Sequence, residues 1–291
     1  MEIVRNSLFE GATLRIGAFE ARPVSDACGE VERQSANAVV LPLAGVFSKH
    51  DAPGRQVIGT PGSAVLFAAD RPYRVGFPGA IGDRALVLRF DEILAPDQLD
   101  PRGTTLGTQG LLPAHAMVLR NLLWRRLKRG AADAFETEAV GLDLLALSLG
   151  AMQARDLPHR AATALRWTRA LARVEEAVAA QPAEKWSVTR LAAIANLSPF
   201  HLCRVFRQIA GISICDYVLH ERLALSLDAV VEGNGDLTGI ALDAGFASHS
   251  HFTARFKSFF GCTPAQLRRS ATAGRLAELR KIMTARRRRL A

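Results

Sequence analysis

Polar and basic side chains alternate with phenylalanines in residues 245–264, GFASHSHFTARFKSFFGCTP. At 3.6 residues per turn, Phe252, Phe256 and Phe259 fall on one side of a helix and are expected to be buried. The remaining positions face outward or flank that stripe, and they are mostly polar or basic: His249, Ser250, His251, Thr253, Ala254 and Lys257. Such side chains donate hydrogen bonds and positive charge, which is what a helix lying in a DNA major groove needs.

The same pattern occurs twice in the chain. Residues 191–211, LAAIANLSPFHLCRVFRQIAG, line up with residues 240–261, and each copy predicts a short helix, a turn and a longer helix. Asn196 and Gly245 occupy the turns, where a positive φ costs these two residue types least. Ser198 and Ser248 are expected to cap the longer helices.

The longer helix of the first copy also has two faces. Leu202, Val205, Phe206 and Ile209 form its apolar side, and the opposite side carries Phe200, Cys203, Arg204 and Arg207. Residues 212–232 predict a long helix between the copies. Two such helices can read successive major grooves if they lie about 34 Å apart.

The excess of positive charge is confined to the second part of the chain. Residues 1–164 contain 18 basic and 18 acidic side chains, whereas residues 165–291 contain 19 and 10. This asymmetry indicates a polyanionic partner, with nucleic acid favoured over a membrane surface. Arg286–Arg289 contribute part of it and are interpreted either as a DNA-contacting tail or as a solvated end.

The N-terminal part has a different pattern of apolar and turn-forming residues. AVVLPL, SAVLFAA and RALVLRF predict short strands separated by Pro-Gly turns, which is typical of a sandwich or small barrel. Residues 113–154 then predict a helical hairpin around Gly130. The predicted fold class is therefore α+β and multidomain: an N-terminal β-sandwich or barrel with a helical hairpin, and a C-terminal all-α domain with two helix-turn-helix units.

The pattern IALDAGFASHSHFTARFKSFFGCTPAQLRR resembles the AraC/XylS family of bacterial transcription regulators, through Ala241, Gly245-Phe246, Ser250, Phe252, Phe256-Lys257, Gly261, Thr263-Pro264 and Arg268. The first copy is similar to the family's other helix-turn-helix, with Arg222 and Leu223 at its Arg-Leu pair. More loosely, the N-terminal strands are similar to the cupin-like sensor domains of that family. The resemblance implies a transcription regulator, expected to be an activator rather than an enzyme, that binds double-stranded DNA and RNA polymerase. A cytoplasmic location is expected because no secretion signal is recognised.

The resemblance also implies roles for single residues. Phe200, Cys203 and Arg204 on the first helix would face base edges, as would His249, Ser250 and Ala254 on the second. Arg207 and Lys257 would hold phosphates. The family often has Arg where this chain has Ala254; here the arginine is Arg255, rotated toward the edge of the DNA face. Ala254 suits contact with a thymine methyl group, and Arg204 suits a bidentate contact with guanine.

A small-molecule effector in the N-terminal domain is the expected control, with His50, Arg71 and Tyr73 as polar candidates. All three could instead be structural turn residues. No metal or other cofactor is predicted, because His249 and His251 diverge on a helix and the four cysteines lack C-x-x-C spacing. An N-terminal domain that only mediates protein contacts remains the alternative, and the helical hairpin could form a homodimer or pack on its own domain.

The predicted boundaries are a cupin-like sensor and dimerisation domain at 1–155, a linker at 156–166, the double helix-turn-helix domain at 167–272 and a basic tail at 273–291. No run of residues is apolar and long enough for a membrane span. No secretion signal is recognised at the N-terminus.

Overall fold

The chain has a β-rich N-terminal part followed by a helical C-terminal part, as predicted. The structure is a computed structural model, and it describes residues 2–52, 55–91, 108–130, 133–152, 160–233 and 235–272. The predicted basic tail at 273–291 lies outside the described residues, as do residues 156–159 of the predicted linker.

The N-terminal part contains two antiparallel sheets. One has the order β1-β2-β8-β3-β6-β9 and the other β5-β4-β7. The strands are β1 (Glu2–Glu10), β2 (Leu14–Arg22), β3 (Asn37–Gly45), β4 (Phe47–Ala52), β5 (Arg55–Gly59), β6 (Ser63–Phe67), β7 (Arg74–Gly76), β8 (Asp83–Phe90) and β9 (Gln109–Leu111). A short 3-10 turn, Pro78–Ala80, precedes β8.

The three strands expected from AVVLPL, SAVLFAA and RALVLRF are present as β3, β6 and β8. They are buried on both faces or nearly so, which explains their continuous apolar runs. Strand β1 was not anticipated, because it is an edge strand with mostly exposed, polar side chains. Its partner β2 was missed as well, although it lies between β1 and β8.

The predicted hairpin is formed by α1 (Ala114–Lys128) and α2 (Ala134–Ala151). Asp133 caps α2 by accepting a hydrogen bond from the amide of Glu136 at 2.9 Å. Most of α1 is buried, including Arg120, whose guanidinium donates to the carbonyls of Pro42 and Pro61. Burial lowers the pKa of Arg120 to about 10. Helix α1 is thus enclosed in the core of its own chain.

Seven helices follow in the described part of the C-terminal region: α3 (Ala161–Ala180), α4 (Val188–Ala195), α5 (Pro199–Ala210), α6 (Ile214–Glu232), α7 (Leu237–Asp243), α8 (His249–Phe260) and α9 (Pro264–Thr272). Helix α3 begins at Ala161, inside the segment predicted as a linker. The alanine-rich sequence AATALRW favours helix there, because alanine loses the least side-chain freedom on helix formation.

Two apolar clusters divide the C-terminal helices. Helices α3, α4 and α5 pack together with the start of α6, around Val174, Phe206 and Tyr217. Helices α7, α8 and α9 pack on the second half of α6, and this cluster is continuous with α1 and the large sheet of the N-terminal part. The long helix α6 therefore belongs to both clusters and connects them.

Polar contacts also join α6 to the N-terminal part. The Thr60 hydroxyl donates to Glu221 Oε1 at 3.0 Å, and His220 Nε2 lies 3.0 Å from the carbonyl of Leu112. Arg84 forms a salt bridge with Asp228. A Cβ at Gly62 would lie 2.4 Å from Glu221 Oε1 and 2.6 Å from His220 Nδ1, so a larger residue there would displace these two α6 side chains. The face of α6 that these residues form is held by the β-rich part.

Candidate nucleic-acid interface

The first pair of helices, α4 and α5, has the turn and cap that the sequence predicts. Asn196 ends α4 with φ 53° and ψ 47°, in the left-handed region. Ser198 caps α5, and its hydroxyl accepts a hydrogen bond from the amide of His201 at 3.3 Å. Leu202, Val205 and Phe206 are fully buried beneath α5. The opposite face of α5 is exposed to solvent.

The second pair, α7 and α8, is built in the same way. Gly245 has φ 81°, and a Cβ there would lie 2.6 Å from the Cα of Ala183, so the turn needs glycine for conformation and for space. Ser248 caps α8 through the amide of His251 at 3.2 Å. The predicted positive-φ positions and serine caps are confirmed in both pairs.

The buried stripe of α8 differs from the prediction at one position. Phe252, Phe256 and Phe260 are buried, whereas Phe259 is only partly buried and packs edge-on against His220 at 5.5 Å between ring centroids. Side chains four residues apart lie on one face of a helix, as do side chains three residues apart. Phe260 can therefore share the face of Phe252 and Phe256 as readily as Phe259. The stripe therefore runs at i, i+4, i+8.

Every residue predicted to contact DNA is exposed in the structure. These residues are Phe200, Cys203, Arg204 and Arg207 on α5, and His249, Ser250, Ala254, Arg255 and Lys257 on α8. Phe200 is the clearest case: this large apolar side chain is 80% exposed although no folding requirement places it there. An exposed phenylalanine beside an arginine is suited to apolar contact in a groove.

Neither α5 nor α8 contains an acidic residue, in a chain with 28 Asp and Glu. The exposed faces therefore carry only positive or neutral groups. Arg207 and Lys257 occupy equivalent places in the last turn of each helix, four residues before Gly211 and Gly261, whose amides bond to their carbonyls. Positive side chains at both C-terminal ends suit phosphate oxygens on either side of a groove.

One exposed arginine of α8 is held by a neighbour. The Nε of Arg255 donates to Nε2 of His251 at 3.3 Å, one helical turn earlier. The ring of His251 packs edge-on against Phe246. The Arg255 side chain is thus directed along the helix toward its N-terminal turn, at the flank where the sequence places it.

A cavity lies in the N-terminal part, lined by residues of both sheets. Of the three predicted effector residues, Tyr73 lines it, and its hydroxyl donates to Glu32 at 3.4 Å. Burial raises the pKa of Tyr73, and Glu32 adds to the rise. His50 and Arg71 are not among the lining residues: His50 contacts Ser48 on β4, and Arg71 is exposed in the loop before Tyr73.

Sequence reasoning missed the other polar residues of the cavity, Arg5, Glu32, Gln34, Asp83 and Arg89. In β8, Asp83, Val87 and Arg89 share one face of the strand. Asp83 and Arg89, two charged residues on the same strand face as Val87, were the signal in the sequence that could have indicated this cavity. It was obscured because Leu86, Leu88 and Phe90 on the other face are also buried.

Comparison with known proteins identifies the helical part of the chain. A protein-family model described as "Helix-turn-helix domain" matches residues 191–270. The bifunctional transcriptional activator and DNA repair enzyme AdaA of Bacillus subtilis is 33% identical over 85 residues, which are 29% of this chain and 40% of AdaA. The probable transcriptional regulator LumQ of Photobacterium leiognathi is 22% identical over 81% of this chain and 97% of its own length.

Among solved structures, the chain is similar to a transcriptional regulator from Chromobacterium violaceum described as having an AraC-type DNA-binding domain. The identity is 25% over 35% of this chain and 91% of that one, with a TM-score of 0.34. The family model and the regulators that match by sequence confirm the resemblance to helix-turn-helix transcription regulators over the C-terminal region. The match to AdaA covers less than half of that protein.

Two kinds of feature are missing from the residues that the structure describes. None of their helices is long and apolar enough to cross a membrane. They also contain no group of three or more His, Cys, Asp or Glu side chains arranged to hold a metal ion.

Proposed function

We propose that the protein is a sequence-specific transcription regulator that reads double-stranded DNA with two helix-turn-helix units, α4–α5 and α7–α8. One observation carries the proposal: α5 and α8 are both serine-capped, buried on an apolar stripe, and free of acidic residues on their exposed faces. This arrangement is the one by which a recognition helix presents side chains to a major groove.

Helix α6 supports the use of both units on one duplex. It has 19 residues, so at 1.5 Å per residue it is about 28 Å long. Each unit packs against a different part of it. A rigid spacer of this length is close to the distance of about 34 Å between successive major grooves on one face of DNA.

Within each unit we assign the contacts by position. Phe200, Cys203 and Arg204, with His249, Ser250 and Ala254, face base edges, because they lie in the N-terminal and central turns of their exposed helices. Arg207, Lys257 and Arg255 lie in later turns or at the flank and contact the phosphate backbone. Phosphate contacts position the protein, and base contacts give it sequence preference.

Arg204→Ala tests this division. We expect the substitution to weaken binding to the preferred sequence by about 1–3 kcal/mol and to relax one base position, because a bidentate arginine contact to guanine is lost. Lys257→Ala is the matched control on the other helix. It should weaken all duplexes similarly and reduce the slope of log affinity against log salt by about one.

The measurement is fluorescence anisotropy with a set of duplexes that differ at single positions, repeated at several salt concentrations. An unchanged selectivity profile for Arg204→Ala would remove this residue from base reading. An effect of Lys257→Ala confined to one sequence would contradict its assignment to phosphate.

For the N-terminal part we propose a cupin-like sensor that controls the DNA-binding units through a small-molecule effector. The cavity between its sheets supports this, and so do the contacts by which it holds α6. These features favour effector control over an N-terminal domain that only mediates dimerisation. The control we propose is activation, through contact of the DNA-bound protein with RNA polymerase in the cytoplasm.

A homodimer, if formed through the helical hairpin, would use α2, since α1 is enclosed in the core. Phe135 at the start of α2 is 85% exposed and is the residue of this helix best placed for such a contact.

A further inference from the structure

The cavity of the N-terminal part has the size and lining of a small-molecule site. Its volume is about 80 Å³. Since one water needs roughly 10–15 Å³ measured in this way, it has room for about five to eight non-hydrogen atoms. Its walls are mostly apolar and include five aromatic rings: Phe19, Phe47, Phe67, Tyr73 and Phe77.

One carboxyl group stands out in this apolar setting. Asp83 begins β8, lines the cavity and is 6% exposed. Neither of its carboxyl oxygens has a hydrogen-bond partner among the residues that the structure describes. Buried polar groups are almost always paired, because a buried group without a partner loses its hydrogen bonds to water and gains none in return. A polar group of a ligand would provide the missing partner.

The immediate neighbours of Asp83 carry no charge into the cavity. In the sheet it lies between Ala21 of β2 and Gly45 of β3. Two aromatic residues of the cavity lie close by in the chain: Phe19, also on β2, is two residues from Ala21, and Phe47, at the start of β4, is two residues from Gly45. Asp83 is therefore flanked in the sheet by small residues, and the rings of Phe19 and Phe47 line the same cavity.

The other titratable groups of the cavity form a separate set. Arg5 and Tyr73 both contact Glu32, and the pKa of Arg89 is lowered by burial first and then by Arg5 and Arg15. Arg89 lies six residues along β8 from Asp83, or roughly 20 Å between Cα atoms. None of these groups contributes to the pKa of Asp83, which burial alone raises to about 8.

We propose that this cavity binds a small organic amine, with the ammonium group paired to the carboxylate of Asp83 and the apolar body against the aromatic rings. The inference rests on the proposed effector control and names the ligand class. Ring faces attract cations, so Phe19 and Phe47 would stabilise the ammonium group beside the carboxylate. The guanidinium groups of Arg5 and Arg89 repel a cation and thereby orient the positive end toward Asp83.

Binding is coupled to the release of a proton. At pH 7 the carboxyl group of Asp83 is mostly protonated, because burial raises its pKa to about 8. The ammonium ion keeps its three protons, and Asp83 loses its own to solvent when the ion pair forms. A ligand that carries a hydroxyl group in place of the amine would bind to the protonated carboxyl group and release none.

The position of Asp83 connects the ligand to the DNA-binding part. Arg84, the next residue of β8, points to the opposite face of the strand and forms a salt bridge with Asp228 of α6. A ligand that ionises Asp83 and draws it toward an ammonium group acts on the same strand end that holds α6. Occupancy of the cavity is thereby transmitted to the helix that connects the two DNA-reading units.

The test uses the full-length protein with benzylamine as the probe, and benzyl alcohol and benzoate as controls of similar size. Titration calorimetry at pH 7 in two buffers of different ionisation enthalpy measures both affinity and proton release. We expect benzylamine to bind with release of about one proton at pH 7, and the number released should decrease as the pH rises through 8. Benzyl alcohol and benzoate should bind at least tenfold more weakly and release no proton.

Asp83→Asn should weaken benzylamine binding at least tenfold and abolish proton release, while Asp91→Asn, at an exposed carboxylate just past the same strand, should change neither. Arg84→Gln should leave benzylamine binding intact but remove its effect on DNA affinity. Tighter binding of benzyl alcohol than of benzylamine would overturn the amine assignment, as would full affinity in Asp83→Asn. DNA affinity indifferent to bound benzylamine would overturn the transmission through Arg84.

These results are separable from the proposed DNA function. Absence of benzylamine binding in a protein that still selects a DNA sequence overturns the ligand inference alone. Benzylamine binding in a protein that selects no DNA sequence, with or without the amine, overturns the proposed function and leaves the amine site in place.

Discussion

Replacement of Asp83 by Asn is expected to make the protein more stable than the wild type at pH 8, by an amount that grows between pH 4 and pH 8. Burial raises the pKa of Asp83 from its usual 3.8 to about 8. In this pH range the folded wild type keeps a proton that the unfolded chain has lost, so its free energy of unfolding falls as the pH rises. The amide side chain of the variant cannot ionise, and this contribution disappears.

The expected size is on the order of 5 kcal/mol between pH 4 and pH 8, since each pKa unit of difference corresponds to about 1.4 kcal/mol. Urea unfolding of the wild type and of Asp83→Asn at a series of pH values measures it. Asp91→Asn is the control, and its pH dependence should follow that of the wild type. Parallel curves for all three proteins would show that Asp83 is solvated, and the cavity assignment would fail with it.

Phe256→Ala is expected to have the other large effect. Phe256 is fully buried, and its ring centroid lies 5.4 Å from that of Phe252 and 4.4 Å from that of Phe260. Removing a buried phenylalanine side chain typically costs about 3–5 kcal/mol, because apolar contacts are lost and a cavity remains. Since these three rings anchor α8 in the apolar cluster that it shares with α1, α6, α7 and α9, the second DNA-reading unit should lose its fixed position and specific binding should fall sharply.

Phe200→Ala is the matched control, because it makes the same chemical change on the other recognition helix at a side chain that is 80% exposed. Its free energy of unfolding should stay within about 0.5 kcal/mol of the wild type. Its affinity for the preferred duplex should still decrease, because Phe200 is assigned to the groove. Equal losses of stability in the two variants would contradict the burial difference on which both assignments depend.

The local features of the two helix pairs could be predicted because they depend on few neighbouring residues. A turn that needs a positive φ selects Asn196 or Gly245, and a helix start that leaves amides unpaired selects Ser198 or Ser248. Each of these preferences can be recognised from the residue type at the position where it acts. The repeat of the pattern at residues 191–211 and 240–261 strengthened each prediction.

The choice between Phe259 and Phe260 could not be made in this way. Both spacings place a ring near the buried face of α8, and the neighbours decide which ring is enclosed. Phe259 packs edge-on against His220 of α6 and stays partly exposed, whereas Phe260 is buried against Phe256 in the core. That outcome depends on the packing of α6, which the sequence of α8 does not contain.

Most of the residues that line the cavity were missed for a related reason. Asp83, Phe19 and Phe47 are far apart in the sequence and come together only because β8 pairs with β2 and with β3, the strand that leads directly into Phe47 and β4. Of the three polar residues predicted from turn regions, His50, Arg71 and Tyr73, only Tyr73 lines the cavity. Long-range strand register, which periodicity does not reveal, decides which polar side chains share an interior.

The central claim is that both helix pairs read DNA sequence, and selection of bound duplexes from a random pool at physiological salt tests it most directly. The purified full-length protein is used with and without benzylamine, and bound duplexes are sequenced. We expect enrichment of a motif with two parts whose centres lie about one helical turn of DNA apart. Salt-sensitive binding without any enriched sequence, in both conditions, would contradict the claim.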